Sequence, residues 1–221
     1  MRTKELINMT AKGFIAALVC VFALSACSSS DDPEAPAVEN ETEDITNLAV
    51  VFTPANDGVA ISGGAVVRAE IVDPDGFKGP EPLESIGTIN LKQNTEYQLT
   101  FEIVNQLAPE DEQNTCDEIQ EESLAHQFYF GFEDNIFTAP VGTGNIGDDV
   151  QDPKSKVIYN DYDTEGHPLG LHTEWTTGDK HDALTNFRVI LKHKPGEKGA
   201  NDTTAIGEND IDVTFELNVV E

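Results

Sequence analysis

Two groups of residues in this chain have types and spacing that could hold a metal ion. Glu118, Glu122 and His126 recur at every fourth position, so a helix through them would carry two carboxylates and an imidazole on one face. Nitrogen and oxygen donors of that kind suit a borderline ion such as zinc, while the plainer expectation is a solvated acidic face ending in a junction histidine. The second group, Asp161-Tyr-Asp163-Thr-Glu165-Gly166, has the D-x-D-x-acid-G spacing of a calcium loop, in which oxygens gather on one side of a turn that glycine completes. Glu165 stands where Asp or Asn is usual, and His172 where the bidentate Glu of such a loop would fall. Glu174, or Asp73 and Asp75 from the DPDG turn, would have to complete the shell. Plain hairpin turns also account for both acidic stretches.

Other reactive patterns fail on physical grounds. Gly142-Thr-Gly144-Asn-Ile-Gly147 matches G-x-G-x-x-G, but Pro140 precedes it, Asp148 and Asp149 follow, and no helix is expected there to offer its N-terminus to a pyrophosphate. There is no G-x-S-x-G, P-loop or H-E-x-x-H. Cys116 lies beside Asp117 and Glu118, which disfavour its thiolate. A glycoside hydrolase needs two carboxylates in one cleft, and among 41 acids no pair stands out. Trp175, Tyr129 and Tyr162 could form a sugar-stacking platform, but Trp175 is in phase with Leu169, Leu171 and Thr173, which favours the core. His167, His172, His181 and His193 are expected at the surface.

The elements that must position these residues read as strands. Tyr97, Leu99, Phe101 and Ile103 alternate with polar residues, and Ile211, Val213, Phe215, Leu217 and Val219 do so more cleanly. Weaker versions run at 49–53, 66–72, 88–91, 128–132, 157–162, 169–176 and 187–193. Short strands punctuated by Gly, Pro, Asn and Asp predict an all-β fold, a single antiparallel β-sandwich of immunoglobulin-like or jelly-roll-like type. One short helix interrupts it, with capping-box spacing at Thr115 and Glu118 and helix formers to Ala125.

The N-terminal residues carry a different message. Arg2, Lys4 and Lys12 precede an apolar run from Phe14 to Leu24, too short for the roughly 20 residues of a membrane span and suited to a secretion signal. Leu24-Ser25-Ala26-Cys27 has the form of a lipobox, so residues 1–26 are expected to be a lipoprotein signal peptide and Cys27 the lipidated first residue. Residues 27–43, rich in Pro, Ala, Glu and Asp, read as a disordered tether, and 44–221 as the sandwich domain. Ser30, Asp31, Asp32 and Glu34 resemble the acidic export signals of Bacteroidota lipoproteins that reach the cell surface, although a solvated tether has the same composition. Cys20 leaves with the signal and Cys27 takes the lipid, so Cys116 has no partner for an intramolecular disulfide.

Charge excludes one class of partner. Loss of Arg2, Lys4, Lys12 and Glu5 from 13 basic and 41 acidic residues leaves 10 against 40, a net charge of −30. Such a surface repels the phosphates of nucleic acid and attracts cations.

The stretches EIQEESLAHQFYF, YNDYDTEGHPLGL, VILKHKPG and ENDIDVTFELNV resemble, in this order, a family of small Bacteroidota surface lipoproteins. Its members are often labelled "type 1 periplasmic binding fold superfamily" or "GTP cyclohydrolase". The first label conflicts with the chain, because two doubly wound α/β lobes need many helices and one is expected here, and both labels are set aside. The resemblance implies an outer-membrane lipoprotein that serves as an accessory to uptake, with a TonB-dependent receptor as partner. The functional expectation is therefore a non-enzymatic surface lipoprotein in ligand capture or receptor support. A hydrolase of extracellular polymers with a carboxylate pair, and a divalent-metal-binding lipoprotein with calcium as cofactor, are the alternatives.

Overall fold

The computed structural model describes residues 43–77, 79–80, 82–146, 157–200 and 202–221. They belong to the unit Asn40–Glu221, one of two into which the chain divides. The signal segment, Cys27 and the acidic residues Ser30, Asp31, Asp32 and Glu34 lie outside the described residues.

The two-residue periods fold as strands packed in two layers. In chain order the elements are β1 (Asn47–Asn56), β2 (Val59–Ala60), β3 (Val67–Val72), β4 (Glu84–Ile86), β5 (Ile89–Lys92), β6 (Glu96–Val104), α1 (Thr115–Glu121), β7 (His126–Phe132), β8 (Phe137–Ala139), β9 (Ile158–Tyr159), β10 (His172–Thr177), β11 (Thr185–His193) and β12 (Glu208–Val220). The larger sheet runs β4-β3-β1-β6-β10-β8, with β2 on β1 and β9 on β10, and the smaller one runs β5-β12-β11-β7. The fold is all-β and sandwich-like, but not purely antiparallel, because β5 lies parallel to β12 with Ile89 opposite Leu217.

Alternate residues of both sheets meet in one core. Leu48, Val50 and Phe52 of β1 and Tyr97, Leu99, Phe101 and Ile103 of β6 face Phe128 and Phe130 of β7, Phe187, Val189 and Leu191 of β11, and the apolar row of β12. Trp175 is fully enclosed, with Phe130, Phe132, Phe137 and Phe187 at ring-centroid distances of 4.8 to 5.4 Å in edge-on geometry. Tyr129 is buried as well, so of the three aromatics weighed as a sugar platform only Tyr162 is exposed.

The helix differs from its expectation. It starts after Asn114, not with a capping box at Thr115; Asn114 bonds Asp117 through its side chain at 2.8 Å, and Thr115 is buried. The helix ends at Glu121, and Glu122, at φ −93° and ψ 27°, has already left helical geometry. Glu118, Glu122 and His126 therefore do not form one helical face, since His126 is the first residue of β7.

Trp175→Ala should lower unfolding stability by about 3–5 kcal/mol, the usual penalty for removing a large enclosed aromatic. Urea titration followed by circular dichroism measures this, and a loss below 1 kcal/mol would mean the ring is not the keystone of the aromatic core.

Candidate functional site

The strand phase that builds the core also delivers polar groups to one end of it. His126 is in phase with Phe128 and Phe130 on β7, His193 is in phase with Val189 and Leu191 on β11, and the two histidines are direct cross-strand partners. Their rings stack in parallel, 4.6 Å apart and 6° from coplanar. Both are buried, which corrects the expectation that His193 lies at the surface.

A β-bulge brings the third member. The β11–β12 register shifts between Leu191 and Lys192, which pair with Ile211 and Asn209, so Asp210 is an extra residue on β12. Consecutive Asp210 and Ile211 are consequently both buried, and Asp210 Oδ2 lies 3.4 Å from His126 Nε2. The fourth member comes from the root of the tether. Glu43, assigned by sequence to the tether, is 7% exposed, and its Oε1 lies 3.7 Å from the same nitrogen. Glu122 offers a further carboxylate: ligand atoms of Glu122, His126 and His193 all lie within 4.8 Å of one another.

Hydrogen bonding places a proton on one nitrogen of the central imidazole. His126 Nδ1 lies 3.2 Å from the carbonyl oxygen of Glu122. A carbonyl only accepts, so Nδ1 carries the proton and Nε2 is the atom turned toward the carboxylates. That nitrogen is fully buried and makes no hydrogen bond among the described residues. Burial, followed by the charge and hydrogen bond of Glu118 and then by Asp210 and Glu122, pushes the Glu43 carboxyl up to about 8. The cluster thus favours a proton on Glu43.

The acidic loop has a different role from the one its spacing predicted. Asp161 Oδ1 accepts the N–H of Gly170, and its Oδ2 accepts those of Leu171 and His172, at 2.8 to 3.2 Å. Asp163 Oδ1 accepts the N–H groups of Glu165 and His167, and its Oδ2 lies 3.0 Å from the buried ammonium of Lys198. Burial raises the Asp163 pKa, but the His167 amide, Lys198 and the Glu165 amide outweigh it and hold the carboxylate below its usual range. Glu165 is exposed. These acids organise the turn before β10 and do not converge into the oxygen cage expected for calcium; the one group with metal-ligand spacing among the described residues is Glu122, His126 and His193. Asp73 is buried in the turn after β3, where its carbonyl accepts the N–H of Gly76, and Asp75 follows in the same turn, so neither reaches the Asp161 loop as a shared shell.

The described part of the G-x-G-x-x-G run packs on β7 as a loop. Gly144, at φ +89°, touches the backbone of Phe130 so closely that a Cβ would overlap its carbonyl oxygen, and Asn145 bonds the Phe130 N–H and the Tyr159 hydroxyl. Burial is the main influence raising the Cys116 thiol pKa, with Asp117 and Glu102 adding to it. Lys194 is fully buried against the Tyr129 hydroxyl, and burial pulls its ammonium down to about 8. Surface depressions are open; one of about 450 Å³ is lined by Asp111, Glu112, Asp117, Glu118 and Glu121 and so adjoins the buried cluster through Glu118.

Comparison with protein-family models, curated proteins and solved structures returns no match for this chain.

Glu43 makes the metal-free protein pH-sensitive. Its folded pKa is above its unfolded value of 4.5, so its contribution is fully present below pH 4.5 and is lost as pH rises through about 8. Urea midpoints in EDTA should fall across that window by an amount equivalent to a few kcal/mol, and Glu43→Gln should flatten the slope. An unchanged slope in the variant would assign the pH dependence to another group.

Proposed function

We propose that this chain is a lipid-anchored, non-catalytic binding protein of the outer membrane. It faces the cell exterior and captures a small ligand, alone or as accessory to a TonB-dependent uptake receptor. The observation that supports this reading best is where the acids converge. Glu43, Glu122 and Asp210 meet around His126 at the end of the sandwich, beside the root of the segment that leads back to Cys27. A buried, charged cluster of this size suits a small ligand. A polymer hydrolase would need its proton donor and partner carboxylate in a cleft that a chain can enter, whereas the carboxyl with the strongly raised pKa, Glu43, is buried. The acidic surface favours cationic over anionic ligands.

Anchoring and display are tested on cells. Cys27→Ala should release the protein from membranes. Replacing Asp31, Asp32 and Glu34 together with Ala should leave it membrane-bound but protected from protease added to intact cells. A triple variant that remains protease-sensitive would contradict the export role of these acids, and a Cys27→Ala protein that stays on membranes would contradict lipid attachment.

A further inference from the structure

We propose that Lys198 and Asp163 condense to an intramolecular amide, so that the mature protein carries a covalent bond between the β11–β12 connection and the turn before β10. The first argument is enclosure. The two side chains are 1% and 0% exposed, and Lys198 Nζ lies 3.0 Å from Asp163 Oδ2. Nζ also donates to the carbonyl oxygen of Ser123 at 2.6 Å, which holds it in place beside the carboxyl group. An amine and a carboxyl group kept in contact meet at an effective concentration far above any in solution, and their enclosure keeps water from reversing the reaction. Two opposite charges are also costly to keep out of water, and an amide removes both.

The second argument is what surrounds the carboxyl group. Oδ1 accepts the N–H of Glu165 at 2.9 Å and that of His167 at 2.8 Å. These two amides hold the resting carboxylate, and they also stand where negative charge grows on Oδ1 when an amine adds to the carbon, as the donors of an oxyanion hole do. His167 Nδ1 lies 3.5 Å from Oδ2, the oxygen that must leave. An imidazole in that position can take a proton from Nζ and return it to Oδ2. Burial pulls the Lys198 ammonium below its usual range, which favours the neutral amine that attacks.

The step balances without a co-reactant. The Lys198 ammonium gives one proton to Asp163 Oδ2, and the neutral Nζ adds to Cγ. The tetrahedral carbon then carries Oδ1 as an oxyanion, Oδ2 as a hydroxyl and a protonated Nζ. A second proton passes from Nζ through His167 to Oδ2, and the Cγ–Oδ2 bond breaks. The electron pair on Oδ1 restores the carbonyl, water leaves, and Nζ keeps one hydrogen as an amide N–H. The link ties the connection between β11 and β12 of the smaller sheet to that between β9 and β10 of the larger one. Among the described residues the cysteine, Cys116, is free, so such a bond supplies a cross-link that sulfur does not. It does not depend on what the protein captures.

The test uses the full mature chain with Cys27→Ala. Its intact mass should fall short of the sequence mass by one water, and tandem mass spectrometry of a digest should return a branched peptide that joins Lys198 to Asp163. Lys198→Arg keeps the positive charge beside Asp163 and cannot form the amide, so this variant should show its full sequence mass and unfold at a lower temperature. His167→Phe should leave freshly made protein largely unlinked and close ~100-fold more slowly on incubation. Circular dichroism verifies that each variant is folded. A parent chain that keeps its full sequence mass after long incubation overturns the proposal and leaves Lys198 and Asp163 as an ion pair. A water loss that persists in Lys198→Arg overturns it as well, because the dehydration then lies at another residue. Closure of the His167→Phe chain at the unaltered rate would overturn the role of the imidazole.

Discussion

The Glu122 carbonyl decides the character of this molecule's polar end. Because it can only accept, it commits the proton of His126 to Nδ1 and leaves Nε2 facing Asp210 and Glu43. Two buried carboxylates turned toward one imidazole nitrogen need positive charge nearby. A proton on Glu43 meets part of that need, which is why its pKa is raised by burial and by Glu118.

The fold around this point serves to hold the donors at fixed separation. His126 and His193 are registered opposite each other by the β7–β11 ladder, the bulge in β12 turns Asp210 inward, and the short segment before β1 carries Glu43 to His126 and Glu118. Three of these positions lie on the smaller sheet, whose inner face continues into the aromatic core around Trp175. Rigid strands make such a site more definite than the acidic turn at Asp161 and Asp163, whose carboxylates are spent on backbone amides and Lys198.

Much of the fold was legible because one-sided alternation survives wherever a strand packs across its whole length, as in β6 and β12. The strands that sequence missed, β2, β4 and β8, are two or three residues long, and β2 and β4 are exposed throughout, so they have no apolar period to display. Glu122 and His126 were picked out by a helical spacing that the structure does not use; they meet because the chain turns after Glu121 and enters β7. His193 was readable in principle, since it is in phase with Phe187, Val189 and Leu191, but its polar type argued for the surface. Asp210 and Glu43 gave no local sign. One depends on a bulge, a register property of two strands, and the other on long-range packing of a segment whose composition continues that of the tether.

The most direct test of the buried cluster is nitrogen-15 NMR of the His126 imidazole. The account predicts a proton on Nδ1, held by the Glu122 carbonyl. A bare Nδ1, with the ring proton on Nε2 alone, would contradict it and mean that the Glu122 carbonyl does not orient the ring.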